Sequence, residues 1–466
     1  MPTSTRTCSG NIQLQNLPNK ELMKHHWYSS LLALVVLPAT SSATTPTTPK
    51  AAELLASNLY ASELALGNSN SAATTDGEEN PLEFDVFWKD SLNFRTKNKE
   101  FKLKIGGRIH HDAAWFSEDL EEKSSDFDFE NGTEFRRTRL YFSGAVGKNI
   151  DFKIQMDFAA DATGADFKDA YTDLKCDNGV ALRVGQFNEP FSLGELTSSN
   201  YMAFLERATP TGVAAGRNTG AMVHGDCSDE SVTYAFGVFK PADDIGTATG
   251  SGMYNFTGRV TGLVVDTDDT IVHVGIAASM RKLNGADFDD DSRGPAHLAP
   301  KLLNNDGFAA DEAMVLGAEV AVIHGPLWVS GEYIMNDIEA MDGLPDATQS
   351  GMYVQGGYFF TGEQRGYKRS SGTFSRVKPI NPKGGKDGGN GAWEVALRYS
   401  MLEFENLRDG GTEFTDELND ITLGLNWYWN NNFRIMFNYT NFDLDSESRT
   451  VDAGGSGFMT RLSLAI

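Results

Sequence analysis

From residue 101 onwards, apolar and polar residues alternate along the chain with a period of two. The pattern is clearest where Ile150, Phe152 and Ile154 are separated by Asp151 and Lys153. Such a period gives a β-strand one apolar and one polar face. It predicts about sixteen strands, near residues 101–112, 135–143, 150–158, 168–175, 180–187, 216–224, 231–239, 253–265, 271–280, 314–323, 326–336, 351–360, 391–401, 418–429, 432–442 and 456–466.

The connections between these predicted strands alternate between short and long. Turns such as Asn430–Asn432 contrast with longer connections such as Lys282–Asp311 and Glu403–Glu417. A soluble β-sandwich also has alternating strands, but an even strand number with short periplasmic turns and long external loops is typical of an outer-membrane barrel. Trp427 and Trp429 lie beside a short turn, where an interfacial aromatic girdle is expected. We therefore predict an all-β fold, a transmembrane antiparallel β-barrel of about sixteen strands.

The composition is compatible with this fold and excludes several others. Mean hydropathy is -0.34 and the formal net charge is -24, values that are usual for a soluble protein. In a barrel, however, apolar lipid-facing residues and polar lumen-facing residues average out. Beyond the N-terminus the chain has no apolar run of about 18 residues, which excludes a helical membrane protein. The acidic balance argues against nucleic acid as a partner.

The sequence carries no motif of an enzyme, a metal site or a cofactor site. It contains no nucleophile elbow, phosphate-cradling glycine loop, zinc-spaced His and Cys set or HExxH motif. We therefore expect neither catalysis nor a bound cofactor. A hydrolase built from Ser and His residues that are distant in sequence is the minor alternative.

The N-terminus has the composition of a secretory signal. The basic start Met23–His26 precedes the apolar run Leu31–Leu37, and small residues follow up to Ala43. We predict a signal peptide within residues 1–43, with translation starting at Met23. A disordered or short helical segment over 44–80 follows, and then a barrel over 81–466. After cleavage only Cys176 and Cys227 remain, and their positions at successive predicted periplasmic turns permit a disulfide but do not decide whether it forms.

Several short motifs together resemble the phosphate-selective porin family of bacterial outer membranes. They extend over about Leu92 to Ile466 and comprise FKLKIGGRIHHDAAW (101–115), EFRRTRLYFSG (134–144), LRVGQFNEPFSLGELTSS (182–199), FLER (204–207), TGE (361–363), GAWEVALRYS (391–400) and TLGLNWYWNNNFRIMFNYTNF (422–442). The resemblance implies homotrimers of sixteen-stranded barrels, with loops folded into the lumen and basic residues along the path. It also implies small anions such as phosphate or polyphosphate as solutes, and contact with outer-membrane lipid and lipopolysaccharide.

Two features depart from the family pattern. The last strand ends in Ile466, whereas the family usually has an aromatic residue there as an assembly signal. The predicted lumen faces also mix acidic with basic residues, as at Asp112, Asp157 and Glu394. The second departure bears on phosphate selectivity and leaves the predicted fold unchanged.

Basic residues on the predicted lumen faces are the candidate anion pathway, because Arg and Lys bind oxyanions and rings of them line anion pores. They are Lys102, Lys104, Arg108, Arg137, Arg139, Arg183 and Arg398, with Lys153, Arg434 and Arg461 as further members. The alternative is that each pairs with an inward carboxylate and only holds the wall, as Lys153 would with Asp151 or Asp157.

A basic segment, residues 361–390, stands out in this acidic chain. Strand parity places it on the periplasmic side, where a connection of about thirty residues is anomalous. We predict that it folds back into the lumen and brings five basic residues to the constriction, Arg365, Lys368, Arg369, Arg376 and Lys378. A solvated loop is the alternative.

The long connection Asn188–Asn218 contains a helix-compatible run, Gly194–Arg207, and could fold inward or form an external lid. The expected function is an outer-membrane porin for passive, anion-preferring diffusion. A non-selective porin and a soluble exported β-protein that binds a ligand are the alternatives.

Overall fold

The computed structural model describes residues 83–118, 129–159, 164–227, 229–250, 252–304, 307–385, 388–409, 412–447 and 453–466. The predicted signal peptide and the 44–80 segment lie outside these residues, so both remain predictions. Within the described part of the chain, no helix is both long enough and apolar enough to cross a membrane.

Sixteen antiparallel strands form a closed barrel, which confirms the predicted fold class. The strands are β1 (Phe101–Glu118), β2 (Gly132–Val146), β3 (Ile150–Asp157), β4 (Asp166–Lys175), β5 (Ala181–Asn188), β6 (Arg217–Cys227), β7 (Val232–Lys240), β8 (Tyr254–Asp266), β9 (Thr270–Phe288), β10 (Phe308–His324), β11 (Leu327–Ala340), β12 (Ala347–Phe359), β13 (Ala392–Asp409), β14 (Thr412–Tyr428), β15 (Phe433–Ser446) and β16 (Ala453–Ala465). Strand β16 pairs with β1 from Gly455–Glu118 to Ala465–Arg108 and closes the ring.

The two faces of each strand follow the alternation in the sequence. On β13, Leu397 and Tyr399 are exposed on the outer surface, whereas Glu394, Arg398 and Ser400 are buried on the lumen side. An apolar outer face is what lipid contact requires, while polar side chains fill or line the interior. Near the short turns the outer face carries the predicted aromatic girdle, in which Trp427 stacks between Trp393 and Trp429 at centroid distances of 5.1 and 4.7 Å.

An N-terminal hairpin, Phe84–Trp88 and Leu92–Thr96, extends the sheet at the short-turn end. Its second strand pairs with the first residues of β1, from Leu92–Ile105 to Arg95–Lys102. Strand β1 therefore pairs with the hairpin over one half and with β16 over the other. Ile466 extends this second pairing, because its carbonyl accepts a hydrogen bond from Gly107 N at 2.7 Å and its amide donates to Gly107 O at 3.0 Å.

The prediction of a long connection over Glu403–Glu417 is wrong, because β13 and β14 remain paired with each other up to the pair Asp409 and Thr412. The period of two continues there, but the polarity of the faces is reversed. Leu402 and Phe404 point inward and are buried, whereas Glu405 on the outer face is exposed. Strands that project beyond the lipid have no reason to keep an apolar outer face. This reversal made the segment look like a loop.

Two connections fold into the barrel. The first, the inward loop (189–216), joins β5 to β6 and contains one short helix, α1 (Leu193–Leu196), and a 3-10 turn, Thr209–Val213. The predicted helical run Gly194–Arg207 is therefore wrong beyond Leu196. The second is the basic segment between β12 and β13, whose small hairpin pairs Tyr367–Lys368 with Thr373–Phe374.

Phe204 of the inward loop and Phe374 and Val377 of the basic segment are buried in one apolar cluster with Trp328 of the barrel wall. This packing fixes both connections inside the lumen. The disulfide that the sequence permits does not form: Cys176 and Cys227 are free thiols, and Cys176 is exposed.

Candidate functional site

Side chains of β13 to β16 hold the inward loop by its backbone carbonyls. Arg434 donates to Met202 O at 2.6 Å, Asn426 to Ala203 O at 2.8 Å and Arg398 to Glu206 O at 2.9 Å. Arg461 donates to Leu205 O in the same way. Buried carbonyls without a donor are costly, and this stretch has no helix to supply one. The wall arginines therefore take the place of a helical hydrogen-bond ladder.

Further bonds anchor the two ends of the inward loop. The Glu332 carboxylate on β11 accepts from the amides of Leu193 at 3.0 Å and Gly194 at 2.6 Å, which lie at the start of α1. Arg207 donates to Gly194 O at 2.8 Å. On β1, next to β16, Arg108 donates to the Ser199 hydroxyl at 2.6 Å. The loop is thus tied to β1 as well as to β11 and β13–β16, and it narrows the lumen.

Two of the predicted pathway residues, Arg365 and Arg398, are packed against aromatic rings. The Arg365 guanidinium lies 4.5 Å from the Trp328 ring and 4.8 Å from Phe374, and it also donates to Tyr201 O at 2.5 Å. Arg398 lies 4.7 Å from the Phe204 ring. Each side chain is 1% exposed and lies near a buried carboxylate, Arg365 at 3.6 Å from Glu394 and Arg398 at 3.9 Å from Asp420. Both arginines stabilise the inward loop, and a solute in the lumen does not reach them.

The basic segment enters the lumen, as the sequence suggested, but it does not gather its charges at one place. Arg369 forms an ion pair with Asp266 at the turn end of β8, at 2.5 Å, and Arg376 donates to Asn431 O in the β14–β15 turn. Lys368 and Lys378 are exposed and have no ion-pair partner among the described residues. Together with the buried Arg365, these residues are distributed between the inward loop and the short-turn mouth.

The tip of the basic segment is held at β8, four strands from β12 around the barrel. Arg259 on β8 donates to Gly372 O at 2.8 Å and forms a buried ion pair with Glu319 at 2.5 Å. The Tyr367 hydroxyl and the His273 ring share a hydrogen bond of 2.7 Å. Because the segment starts at β12 and is held at β8, it covers part of the short-turn mouth.

The lumen side of β2 to β6 carries ion pairs that remain partly exposed, and we call this surface the ion-pair wall. Its pairs are Arg139–Asp157 at 2.6 Å, Lys153–Asp169 at 2.5 Å, Arg217–Asp169 at 3.1 Å and Arg183–Asp173 at 2.8 Å. Lys153, Arg183 and Arg217 are 27, 22 and 24% exposed, whereas Asp169 and Asp173 are only 9 and 8% exposed. The basic groups therefore face the open lumen and the carboxylates lie behind them.

A cluster that strict alternation missed surrounds Glu206 of the inward loop. In the β1–β2 pairing His110 lies opposite Arg137 and His111 opposite Phe135, so Arg136 is an extra, bulged residue. The bulge lets Arg136 as well as Arg137 reach the Glu206 carboxylate, at 3.0 and 3.3 Å. The available sequence signal was an Arg on a predicted lipid face, which is expensive in a membrane. Arg217, the first residue of β6, was also missed, although the predicted strand 216–224 contains it.

The remaining predicted residues lie near the short-turn end of the lumen. Lys102 is exposed where β1 pairs with the N-terminal hairpin. Lys104 is half-buried, with its Nζ 5.5 Å from the Tyr141 ring. In the part of the chain that the structure describes, no group of three or more His, Cys, Asp or Glu side chains is arranged to hold a metal ion.

The sequence profile of the phosphate-selective porin O and P family matches residues 103–466. The chain belongs to this family. It is thus a channel of the Gram-negative outer membrane and not an enzyme, which confirms the expectation from the motifs and rules out a soluble exported β-protein.

Individual relatives agree with this assignment. The chain is 29% identical to Porin O of Pseudomonas aeruginosa over 86% of its own length and 97% of the relative. It is 27% identical to an uncharacterised protein of Caulobacter vibrioides over 69% of its own length and 65% of the relative. The crystal structure of the outer membrane channel DcaP of Acinetobacter baumannii is similar with a TM-score of 0.49 and 14% identity, over 80% of this chain and 99% of that one. A likeness at that level adds nothing to the family assignment.

Proposed function

We propose that this porin mediates passive, anion-preferring diffusion of small solutes such as phosphate or polyphosphate, and that they pass along the ion-pair wall. The observation that supports this is the difference in exposure within each pair: the basic groups of Lys153, Arg183 and Arg217 are two to three times more exposed than the carboxylates behind them. A solute in the lumen therefore meets guanidinium and ammonium groups first. Arg can bind an oxyanion bidentately, and Lys acts as a mobile point charge.

The overall acidity of the chain does not oppose this selectivity. At physiological salt, charges separated by more than about 8 Å are largely screened. Acidic residues of the external connections, such as Asp289 and Asp291, act on entry from outside, whereas the local charge of the narrow lumen decides which ion passes.

The candidate residues divide into three roles. Arg139 and Arg183 of the ion-pair wall attract anions in the narrow part of the lumen, together with Arg137 where it pairs with Glu206. Lys102, Lys104, Lys368 and Lys378 raise the anion concentration at the short-turn mouth, which faces the periplasm. The third group anchors the two inward connections and acts on selectivity only through them: Arg108, Arg365, Arg369, Arg376 and Arg398.

The family name and the similarity to Porin O support phosphate or a related oxyanion as the solute. On the same basis we propose a homotrimer in the membrane. The apolar outer face, with Leu397 and Ile421 exposed, would contact lipid and lipopolysaccharide or a second subunit.

The reversal potential of single channels in a KCl gradient tests the proposed selectivity. Anion preference predicts a potential towards the chloride equilibrium value, and a cation-directed potential would contradict it. A weakly selective diffusion pore is the second candidate, because every basic group of the ion-pair wall keeps a carboxylate partner. A potential near zero would favour that alternative.

A further inference from the structure

The Glu206 carboxylate lies in a site built from three arginines. Arg136 binds it through Nε at 3.0 Å and Nη2 at 3.1 Å, one nitrogen to each carboxylate oxygen. Arg461 Nη2 lies 2.8 Å and Arg137 Nη2 3.3 Å from the same carboxylate. This fork-like arrangement is how arginine recognises carboxylate and phosphate groups. The cluster therefore has the form of an oxyanion site that a side chain of the protein already occupies.

The site does not depend on Glu206 alone for its shape. The Asp112 carboxylate holds Arg461 through bonds of 2.6 and 2.7 Å, and Arg461 also donates to Leu205 O. Burial raises the pKa of the Glu206 carboxyl, but the guanidinium groups of Arg136, Arg137 and Arg461 outweigh this and hold the pKa well below its usual value. Glu206 is consequently ionised at neutral pH and acts as the counter-ion of the arginines.

The cluster is open to solutes from the long-loop side of the barrel. A cavity of about 430 Å³ lies there, and Arg136 and Glu206, which line it, are 23 and 13% exposed. Arg207 and Arg293 also line it, together with the carboxylates of Glu195 and Asp291. An anion that enters from outside therefore meets Glu206 and its arginines on its way into the lumen.

We propose that Glu206 is a specificity-determining residue: a resident counter-ion that competes with permeant oxyanions for the site formed by Arg136, Arg137 and Arg461. This inference rests on the proposed anion pathway and explains how such a pathway can stay conductive. A pore must bind its ion strongly enough to admit it and weakly enough to release it. By occupying the site, Glu206 keeps the residence time of a phosphate ion short. Without the carboxylate, phosphate would bind there more tightly and obstruct the flow of smaller ions.

The test compares Glu206→Gln with wild type and with Asp85→Asn. Asp85 is the control, because it also pairs with an arginine, Arg95, at 3.0 Å, but lies on the N-terminal hairpin and does not line the cavity. The measurement is the concentration of inorganic phosphate that halves the chloride current through single channels. For Glu206→Gln we expect this concentration to fall by about tenfold, the effect of one charge-assisted hydrogen bond. For Asp85→Asn the change should stay within about twofold.

Glu206→Ala is the second variant, because it removes both the charge and the acceptor atoms and vacates the site fully. Heat-modifiable migration on a gel establishes that each variant has a folded barrel. A half-blocking concentration that is unchanged or higher in both folded variants would overturn the proposal and leave Glu206 with a structural role only. A cation-directed reversal potential of the wild type would overturn the proposed function instead, while the comparison of phosphate block between variant and wild type still decides the role of Glu206.

Discussion

Arginines line both sides of the lumen, but they differ in what they touch. On the β13–β16 side, Arg398, Arg434 and Arg461 are buried and donate to backbone carbonyls of the inward loop. On the ion-pair wall, Arg183 and Arg217 are about a quarter exposed and pair with carboxylates. An arginine on the lumen face of a strand thus holds the inward loop on the β13–β16 side, whereas on the ion-pair wall it faces the pathway.

The difference follows from what lies opposite each wall. The inward loop brings unpaired carbonyls and aromatic rings to β13–β16, and arginine can donate to the former and stack on the latter. On the ion-pair wall, the arginines bond instead to carboxylates of the wall itself, Arg139 to Asp157 and Arg183 to Asp173. Charge alone therefore does not identify a pathway residue. The exposure of the side chain and the group that accepts its hydrogen bonds do identify one.

Removing an anchoring arginine should have the largest effect on the folded barrel. Arg398→Met leaves the buried Glu206 carbonyl without its donor and loses the contact with the Phe204 ring, which we expect to cost about 2 to 4 kcal/mol. The temperature at which the folded band converts to the unfolded band on a gel should fall, and single-channel currents should become larger and noisier. Lys153→Met is the matched control on the ion-pair wall, where Asp169 keeps Arg217 as a partner at 3.1 Å, so the loss should be at most about 1 kcal/mol. Equal losses in the two variants would erase the distinction between the two walls.

Neutralising the ion-pair wall should change selectivity more than stability. The double variant Lys153→Gln with Arg183→Gln leaves Asp169 and Asp173 less compensated, so the local charge becomes more negative. The anion-to-cation permeability ratio, measured from reversal potentials, should drop severalfold. Arg95→Gln is the control, since it removes an ion pair with Asp85 of the N-terminal hairpin, outside the closed ring. An unchanged ratio in the double variant would mean that anions do not pass along this wall.

The smallest effect is expected at the short-turn mouth. Lys368→Gln with Lys378→Gln removes two exposed charges and should reduce chloride conductance at low salt by less than about twofold. The reduction should vanish at 1 M salt, where the screening length is about 3 Å. A reduction that persists at high salt would place these lysines in the constriction itself, together with the anchored residues.

The alternation of the sequence was sufficient to predict the strands, their lumen faces and the unusual location of the basic segment on the periplasmic side. It could not predict the bulge at Arg136, because a bulge changes which residues face inward without altering the local pattern. Nor could it predict that Arg365 and Arg398 are covered, since Trp328, Phe374 and Phe204 reach them from distant parts of the chain. The reversed polarity around Phe404 shows a further limit: a period of two identifies a strand, but its apolar face indicates lipid only within the membrane.

Accessibility to an anionic thiol reagent tests most directly whether the ion-pair wall borders the pathway. Lys153→Cys and Ser400→Cys, each combined with Cys8→Ser, Cys176→Ser and Cys227→Ser, place single thiols on the two walls. Ser400 is fully buried on β13 and close in size to cysteine, whereas Lys153 is 27% exposed. The thiol on the ion-pair wall should react rapidly, with phosphate slowing the reaction, and the thiol on β13 should stay unmodified. A rapid reaction of the thiol at position 400, with no reaction of the thiol at position 153, would contradict the account.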